Sequence, residues 1–296
     1  MAQTKNNPAP TPLEEAPTVL FRLLEDAYRL LNPKSEGYET LKRLSDSEVS
    51  TLALLQQLRG VESERSFLRD CQRFFPELFP GVAGYAPSSF HRRIRKLGRF
   101  LEPLRRTIVD ELAGDPETLI VDSTLLEVLH PRQVPQSAAG FEGAAWARWG
   151  SFCVYGVKLH LICSTNRVPL SYEVTAANEA DVLLVEELLD EARLGGRVAR
   201  RLFGDLAYRG DALKVRLAGR GVLLAVERAE RRPAVRQQVE VCFAALKRIF
   251  WLDGTLATTL VGLAARIAAK VTAYAYGLYV NRLLGRPQGR IEDLWA

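Results

Sequence analysis

Three acids have the residue type and spacing for metal-assisted phosphoryl chemistry. Asp122 closes the apolar run LIVD and Asp205 closes RLFGD, and both runs read as strands. A carboxylate at the end of a buried strand is costly to leave unpaired, because desolvation penalises its charge until a cation, a hydrogen-bond cage or a proton answers it. Two such acids in one sheet suit a shared divalent cation. Mg2+ fits the donor set, since it takes oxygen ligands and is held through few carboxylates plus substrate phosphates. Glu240 offers a third carboxylate, on a helical stretch with an apolar stripe of Val235, Val239, Cys242, Leu246 and Ile249. Arg236 and Lys247 share its angular sector, because steps of four and seven residues at about 100° return within about 40°. Taken singly, the acids have plainer uses: Asp122 and Asp205 as caps of the turns that follow, Glu240 as a helix-surface acid paired with Arg236.

The elements that must carry these residues change character along the chain. Residues 1–17 are rich in Pro and Asn and are expected to form a flexible tail. From about 18 to 112 the apolar spacing is helical. Ser45 and Glu48 form a capping box ahead of STLALLQQLR, with Gly60 as its stop. A second helix, ESERSFLRDCQRFF, precedes a loop with Pro76, Pro80, Gly81, Gly84 and Pro87. A third starts near Ser88 or Ser89 and aligns Phe90, Ile94, Leu97, Leu101, Leu104 and Ile108 on one face. Beyond the linker AGDPE, strands are expected at 118–124, 152–163, 168–174, 201–205 and 221–226, with helices at DVLLVEELLDEA, GDALKVRLAGR, about 233–250 and about 256–284. That order predicts an α/β fold: a mixed sheet flanked by helices, behind an all-helical N-terminal region.

The chain has 296 residues, 47% of them hydrophobic and 25% charged, which excludes a disordered, collagenous or coiled-coil protein. Its 40 basic and 35 acidic side chains leave +5, a surplus too small to argue from until it is located. Residues 92–106 hold Arg92, Arg93, Arg95, Lys96, Arg99, Arg105 and Arg106 against Glu102 alone, a net of +6. Residues 197–248 hold thirteen cations and five acids, a net of +8, and two of those acids are Asp205 and Glu240. The four cysteines form no CxxC and are expected as reduced, mostly buried thiols; with three histidines beside them, no zinc site is expected. The N-terminus shows no apolar signal segment, and Arg266 and Lys270 interrupt the apolar stretch 254–284. A soluble intracellular protein, with no membrane partner, is expected.

Between Asp122 and Asp205 lie 82 residues, and between Asp205 and Glu240 lie 34. With that spacing the sequence resembles the DDE transposases of bacterial insertion sequences, over roughly residues 116–250. VDST resembles the first-aspartate motif, FCVYGVKLHLI the second strand, and TAANEADV the T-x(5)-D segment of that family. GDLAYRG is similar to its G-D-K-x-Y motif, and Arg236, Glu240 and Lys247 reproduce the R-x(3)-E-x(6)-K part of its Y-R-E-K signature. Two positions depart from the pattern: Leu206 stands where the family has lysine, and Pro233 where it has tyrosine.

The resemblance implies a ribonuclease-H-like core at 116–252, in which Asp122, Asp205 and Glu240 bind two Mg2+ ions, with Mn2+ as substitute. In such two-metal sites the ions sit about 3.5–4 Å apart and stabilise the attacking and leaving oxygens of an in-line displacement. It further implies DNA strand cleavage, transfer of the exposed 3′-hydroxyl to target DNA, and a homodimer that holds both transposon ends. Arg236 and Lys247, and more weakly Lys158, are expected to hold phosphates. Region 18–112 is expected to act as a helix-turn-helix-like reader of terminal inverted repeats in double-stranded DNA, through Arg92, Arg93, Arg95, Lys96 and Arg99. Trp146 and Trp149, read as lying in a loop with Arg132 and Arg148, suit either base stacking or plugging of the sheet edge. Residues 253–296 are expected as a C-terminal helix on the core or at the dimer interface, with Tyr274, Tyr276 and Tyr279 inside. A prokaryotic, cytoplasmic, nucleoid-associated protein follows from the same resemblance. A decayed, inactive DNA-binding copy, or a nuclease of the same fold that cuts without joining, would carry many of the same features.

Overall fold

Residues 15–32, 42–113, 117–130, 132–134, 141–193, 199–226, 233–254 and 257–294 are described by the computed structural model of this chain. Two compact units emerge: Met1–Ile108 with Ala268–Ala296, and Val109–Ile267.

The regular elements described in the first unit are all helices. Helix α1 (Glu15–Leu31) begins inside the expected tail, whose residues 1–14 lie outside the described set. Helix α2 (Asp46–Leu58) starts at the capping box: the Glu48 N–H donates to Ser45 Oγ at 3.0 Å, and the Ser45 N–H donates to Glu48 Oε2 at 2.6 Å. Gly60, at φ +61°, takes the left-handed turn after it, a conformation without steric cost only for glycine. Helix α3 (Glu64–Phe74) is capped by Ser63, whose Oγ accepts from the Ser66 N–H. Helix α4 (Pro87–Ala113) buries Phe90, Leu101, Leu104 and Ile108, and it continues through Pro103.

The C-terminal helix Leu260–Leu283 contributes to this unit from Ala268 onward. There Tyr274, Tyr276 and Tyr279 are buried, the Tyr276 hydroxyl donates to the Leu104 carbonyl at 3.3 Å, and Thr272 Oγ1 donates to that of Leu101 at 3.3 Å. From Ala268 onward this helix therefore packs within the helical unit.

The second unit is built on one sheet: β1 (Thr118–Leu129), β2 (Ala145–Trp149), β3 (Phe152–Ser164), β4 (Pro169–Ala176), β5 (Arg201–Gly204) and β6 (Leu223–Val226). The order is β2-β3-β1-β5-β6. β3 runs antiparallel to β1 along one edge; its other edge is shared end to end by β2, against 152–156, and β4, against 157–163. β1–β5 and β5–β6 are parallel, reached through α5 (Val185–Ala192) and α6 (Asp211–Gly219), and α7 (Pro233–Arg248) follows. This is the ribonuclease-H-like arrangement: a mixed sheet with helices on it. Leu119, Ile120 and Val121 are all buried, as expected of a strand covered on both faces.

Two expectations change here. Asp122 is not the end of its strand, because β1 runs on to Leu129 against β3. AWARW, read as loop, is strand β2, with Trp146 packed on Tyr155 at 5.3 Å between ring centroids and 47% exposed. The Trp149 side chain lies outside the described residues.

Candidate active site

The parallel ladder between β1 and β5 pairs Thr118 with Arg201, Leu119 with Leu202 and Ile120 with Phe203, a constant offset of 83 positions (201 − 118). Asp122 and Asp205 share that offset (205 − 122 = 83), so both lie two residues past the last paired residues. Parallel partners project to the same side of a sheet, so the two carboxylates stand abreast where the ladder stops. What looked in sequence like a strand end is the end of β1's pairing with β5, not of β1 itself.

Alternation along β1 divides its residues between two faces. Asp122, opposite Leu161, shares a face with Ile120 and Cys163, and Cys163 lies beside Cys242 of α7. That is the face on which Glu240 is delivered. Ser123, opposite His160, points the other way, with Val121 and Ile162, toward the side where Ser171 Oγ donates to the Leu188 carbonyl of α5.

Asp122 is electrostatically unsettled. Burial pushes its carboxyl up to about 6, and the neighbouring Asp205 and Glu240 charges push the same way. The Ser123 N–H, which donates to Asp122 Oδ1 at 2.9 Å, and the charge of Arg236 only partly offset this. Asp205 also caps its own turn: Oδ1 accepts from the Ala207 N–H at 2.9 Å, opening the 3-10 turn Leu206–Tyr208. Gly204 before it leaves room for Tyr208, since a Cβ there would come within 2.8 Å of the ring. The Gly and Tyr of the G-D-x-x-Y pattern are thus one packing unit. Leu206, in place of the family lysine, is 50% exposed. The Glu240 side chain is 54% exposed and faces Arg236 Nε at 3.5 Å, an ion pair too long to be a good hydrogen bond.

The expected phosphate and DNA contacts separate into two groups. Arg92, Arg95 and Lys96 are exposed on α4 and have no ion-pair partner among the described residues. Arg99 lies on the same helix, its side chain outside the described residues. Arg93 does not belong with them: it donates to the Leu44 carbonyl and to Asp46 Oδ1, both at 2.5 Å, and to the Tyr85 hydroxyl at 3.3 Å. Arg105 and Arg106 of the same run pair with Glu102. Lys158 is likewise engaged internally, donating to the Glu179 carbonyl at 2.7 Å and lying 3.3 Å from Asp181 Oδ1. Lys247 lies 3.2 Å from Asp253 Oδ1, and Arg236 stays beside Glu240.

The motifs VDST, TAANEADV and GDLAYRG also contain Ser123, Thr175, Asp181 and Tyr208, whose roles, like that of His160, spacing alone does not reveal. These residues meet. Ser123 Oγ donates to Asp181 Oδ1 at 2.7 Å, His160 Nδ1 is 3.4 Å from the same oxygen, and His160 Nε2 is 2.9 Å from Thr175 Oγ1. Burial pushes His160 down to about 4, so its ring is neutral at pH 7. The buried Tyr208 phenol is pushed well above its ordinary value by burial first and then by Asp181, Asp122 and Asp205.

Among the described residues no three acid, imidazole or thiol side chains already converge on one cation position. The donor set nonetheless fits a divalent metal. Three carboxylates supply hard oxygen ligands, and a buried Asp122 held up by two like charges is what a cation would relieve. An open arrangement of few carboxylates suits an ion completed by substrate phosphate.

Paired aspartates at the end of a parallel ladder, with a helical glutamate beside them on a ribonuclease-H-like sheet, define a metal-dependent enzyme of phosphodiester chemistry. The chain belongs to the transposase DDE domain family, which matches residues 113–276. Its activity is metal-dependent DNA strand cleavage and strand transfer, its cofactor a divalent metal and its substrate DNA. Among solved structures it is similar to the piggyBac transposase synaptic complex with hairpin DNA, determined by cryo-EM: TM-score 0.46 and 11% identity, over 94% of this chain and 79% of that one. It is also similar to the crystal structure of the Mos1 mariner paired-end complex with Mn, at TM-score 0.31 and 12% identity, over 90% and 97% of the two chains. No match is found among curated proteins. Among the described residues no helix is long and apolar enough to cross a membrane.

Proposed function

We propose that this chain is the transposase of a prokaryotic insertion sequence, acting at the nucleoid. It binds the element's terminal inverted repeats, cuts there and joins the freed 3′-hydroxyl to target DNA. The observation that carries the reading is the parallel register that sets Asp122 and Asp205 abreast, with Glu240 near enough to bear on the Asp122 charge.

Asp122, Asp205 and Glu240 would hold two Mg2+ ions, or Mn2+ in their place. When bound, these supply a Lewis acid for the attacking and leaving oxygens of the displacement. The protein's own residues do the rest. The Ser123 N–H orients the Asp122 carboxylate, and the Ala207 N–H fixes one oxygen of Asp205. Arg236, now beside Glu240, is placed to exchange that partner for a scissile phosphate once the carboxylate turns to a cation, and Lys247 lies further along the same helix. Because hydrolysis and joining are both in-line displacements at phosphorus, one geometry serves both and no covalent protein–DNA link is needed. Arg92, Arg95 and Lys96 of α4, with Arg99 on the same helix, form the face offered to repeat DNA; phosphate contacts there give affinity rather than sequence choice. Two copies of the chain hold both ends before cutting.

Asp122→Ala and Glu240→Ala test this. Each is expected to lower strand cleavage by at least about a thousandfold, a few kcal/mol of lost charge stabilisation, while leaving repeat binding intact. A wild type that binds repeats but never nicks them with Mg2+ or Mn2+ is an inactive remnant. One that nicks but joins no pre-cut ends is a nuclease. Short inverted repeats and a target duplication flanking the gene are the matching genomic observation.

A further inference from the structure

Ser123 makes a hydrogen bond on each side of β1 at the candidate site. Its N–H holds Asp122 Oδ1 at 2.9 Å, and its hydroxyl, on the opposite face, is held by Asp181 Oδ1 at 2.7 Å. An anchor is needed at this point of the strand. Ladder pairing with β5 stops at Ile120, so the Asp122–Ser123 peptide is flanked by a sheet neighbour only on its β3 side.

Asp181 is itself firmly placed. Thr175 lies opposite Lys158 one residue before the end of β4, and the turn after the strand returns the chain so that Asp181 opens the 3-10 turn Asp181–Leu183. Lys158 clamps that turn twice, donating to the Glu179 carbonyl at 2.7 Å and facing Asp181 Oδ1 at 3.3 Å, with both side chains at most 15% exposed. His160, directly opposite Ser123 in the β1–β3 ladder, closes the group from below, with Nδ1 3.4 Å from Asp181 and Nε2 2.9 Å from Thr175. The T-x(5)-D spacing is the length of turn that brings a β4-anchored carboxylate back under β1.

We propose that Asp181 is a positioning residue for Asp122: by holding the Ser123 hydroxyl it fixes the Ser123 N–H, and with it the Asp122 carboxylate, in the orientation that receives the cation. The chain of contact is Lys158 to Asp181, Asp181 to Ser123, Ser123 to Asp122. The inference rests on the reading of Asp122 as a metal-binding residue given above. It also moves Lys158 from substrate phosphate to the support of the site.

The test is Mn2+ binding to the full-length protein, followed by electron paramagnetic resonance without DNA, alongside repeat cleavage and metal-free repeat binding. Residues that hold a metal ligand in place typically cost roughly 10–100-fold in metal affinity or activity when removed, and that is the loss expected for Asp181→Ala in both Mn2+ affinity and cleavage rate. Metal-free repeat binding stays near wild type, whereas the thermal midpoint falls, because Lys158 and the Ser123 hydroxyl lose a nearly buried partner. Asp181→Asn keeps an oxygen for the Ser123 hydroxyl and recovers most of the loss. Ser123→Ala, which keeps the N–H but cuts the link, weakens Mn2+ binding in the same way, and the double variant is no worse than either single one, as for members of one path. If both single variants bind Mn2+ as the wild type does, or if their losses add, the inference is overturned. Should Asp181→Ala fail to fold, Ser123→Ala alone decides it by the same readout. A wild type that binds Mn2+ yet cuts no DNA sinks the transposase reading and leaves the Mn2+ comparison to decide this one. A wild type that binds no Mn2+ overturns the inference whatever the DNA assays give.

Discussion

Asp46 in the helical unit and Asp122 in the sheet unit are both part-buried carboxylates that lose water on folding, and both have an arginine near. In Asp46 the loss is answered within the protein: Arg93 at 2.5 Å and Lys42 at 2.8 Å outweigh desolvation and hold its carboxyl below the usual range. In Asp122 burial pushes the carboxyl up to about 6, the charges of Asp205 and Glu240 add to the push, and Arg236 offsets it only in part. Asp46 meets its cations within the chain, whereas Asp122 keeps the unrelieved charge that the proposed metal would answer. The difference lies in depth as well as in surroundings: Asp122 is the more deeply desolvated of the two and has acids beside it, where Asp46 has cations.

The sharpest way to break this contrast is to remove the Asp46 cation. Arg93→Ala leaves a part-buried carboxylate and the Leu44 carbonyl without their donor, and it is expected to cost about 3 kcal/mol in urea denaturation, the low end for a broken buried pair. Lys42→Ala, at a side chain 36% exposed, should cost under about 1 kcal/mol. The converse holds for the sheet unit. Asp122→Asn removes an unfavourable charge and should stabilise the metal-free protein at pH 7 by about 2 kcal/mol, while abolishing the rise in thermal midpoint that Mg2+ gives the wild type.

The two acids also predict opposite slopes with pH. Asp122, raised from 3.8 to about 6, binds its proton more tightly folded than unfolded, so its cost to stability grows as pH rises from about 4 to 6. Asp46 is lowered, so its contribution is present above its unfolded value and is lost as pH falls through the folded one. The advantage of Asp122→Asn should therefore shrink on acidification below pH 6, and that of an intact Asp46 should fade only in stronger acid. Urea midpoints across that range check both. The smallest effect concerns DNA. Arg95→Ala should lower the salt slope of repeat binding by about 1, and Lys158→Met should leave it unchanged, since Lys158 is clamped on the Glu179 carbonyl.

Local signals in the sequence were read well. The Ser45–Glu48 box is a bond between residues three apart, and such bonds follow from spacing alone. The candidate acids stand out in the sequence for a similar reason, because Asp122 and Asp205 close runs whose apolar letters announce burial. What depended on distant partners was not visible. Arg93 looks like its basic neighbours until Asp46, 47 positions away, takes it up. Asp181 reaches Ser123 across 58 positions, a contact that no periodicity encodes. Asp122 reads as a strand end because burial tightens where β5 pairs; beyond it, among the described residues, β1 has β3 as its sheet neighbour. AWARW read as loop because a short edge strand with an outward tryptophan shows little alternation.

The adjacency of Asp122 and Ser123 gives β1 a parity. Asp122 and Ser123 lie on opposite faces, the first toward the proposed cation and the second toward Asp181, so neighbouring letters belong to opposite layers of the sheet unit. A substitution in this strand perturbs one layer, but deleting any single residue between Thr118 and Asp122 exchanges the two, turning the carboxylate toward Asp181 and the hydroxyl toward Glu240. Drift in this segment can therefore proceed by changing letters, never by changing their number.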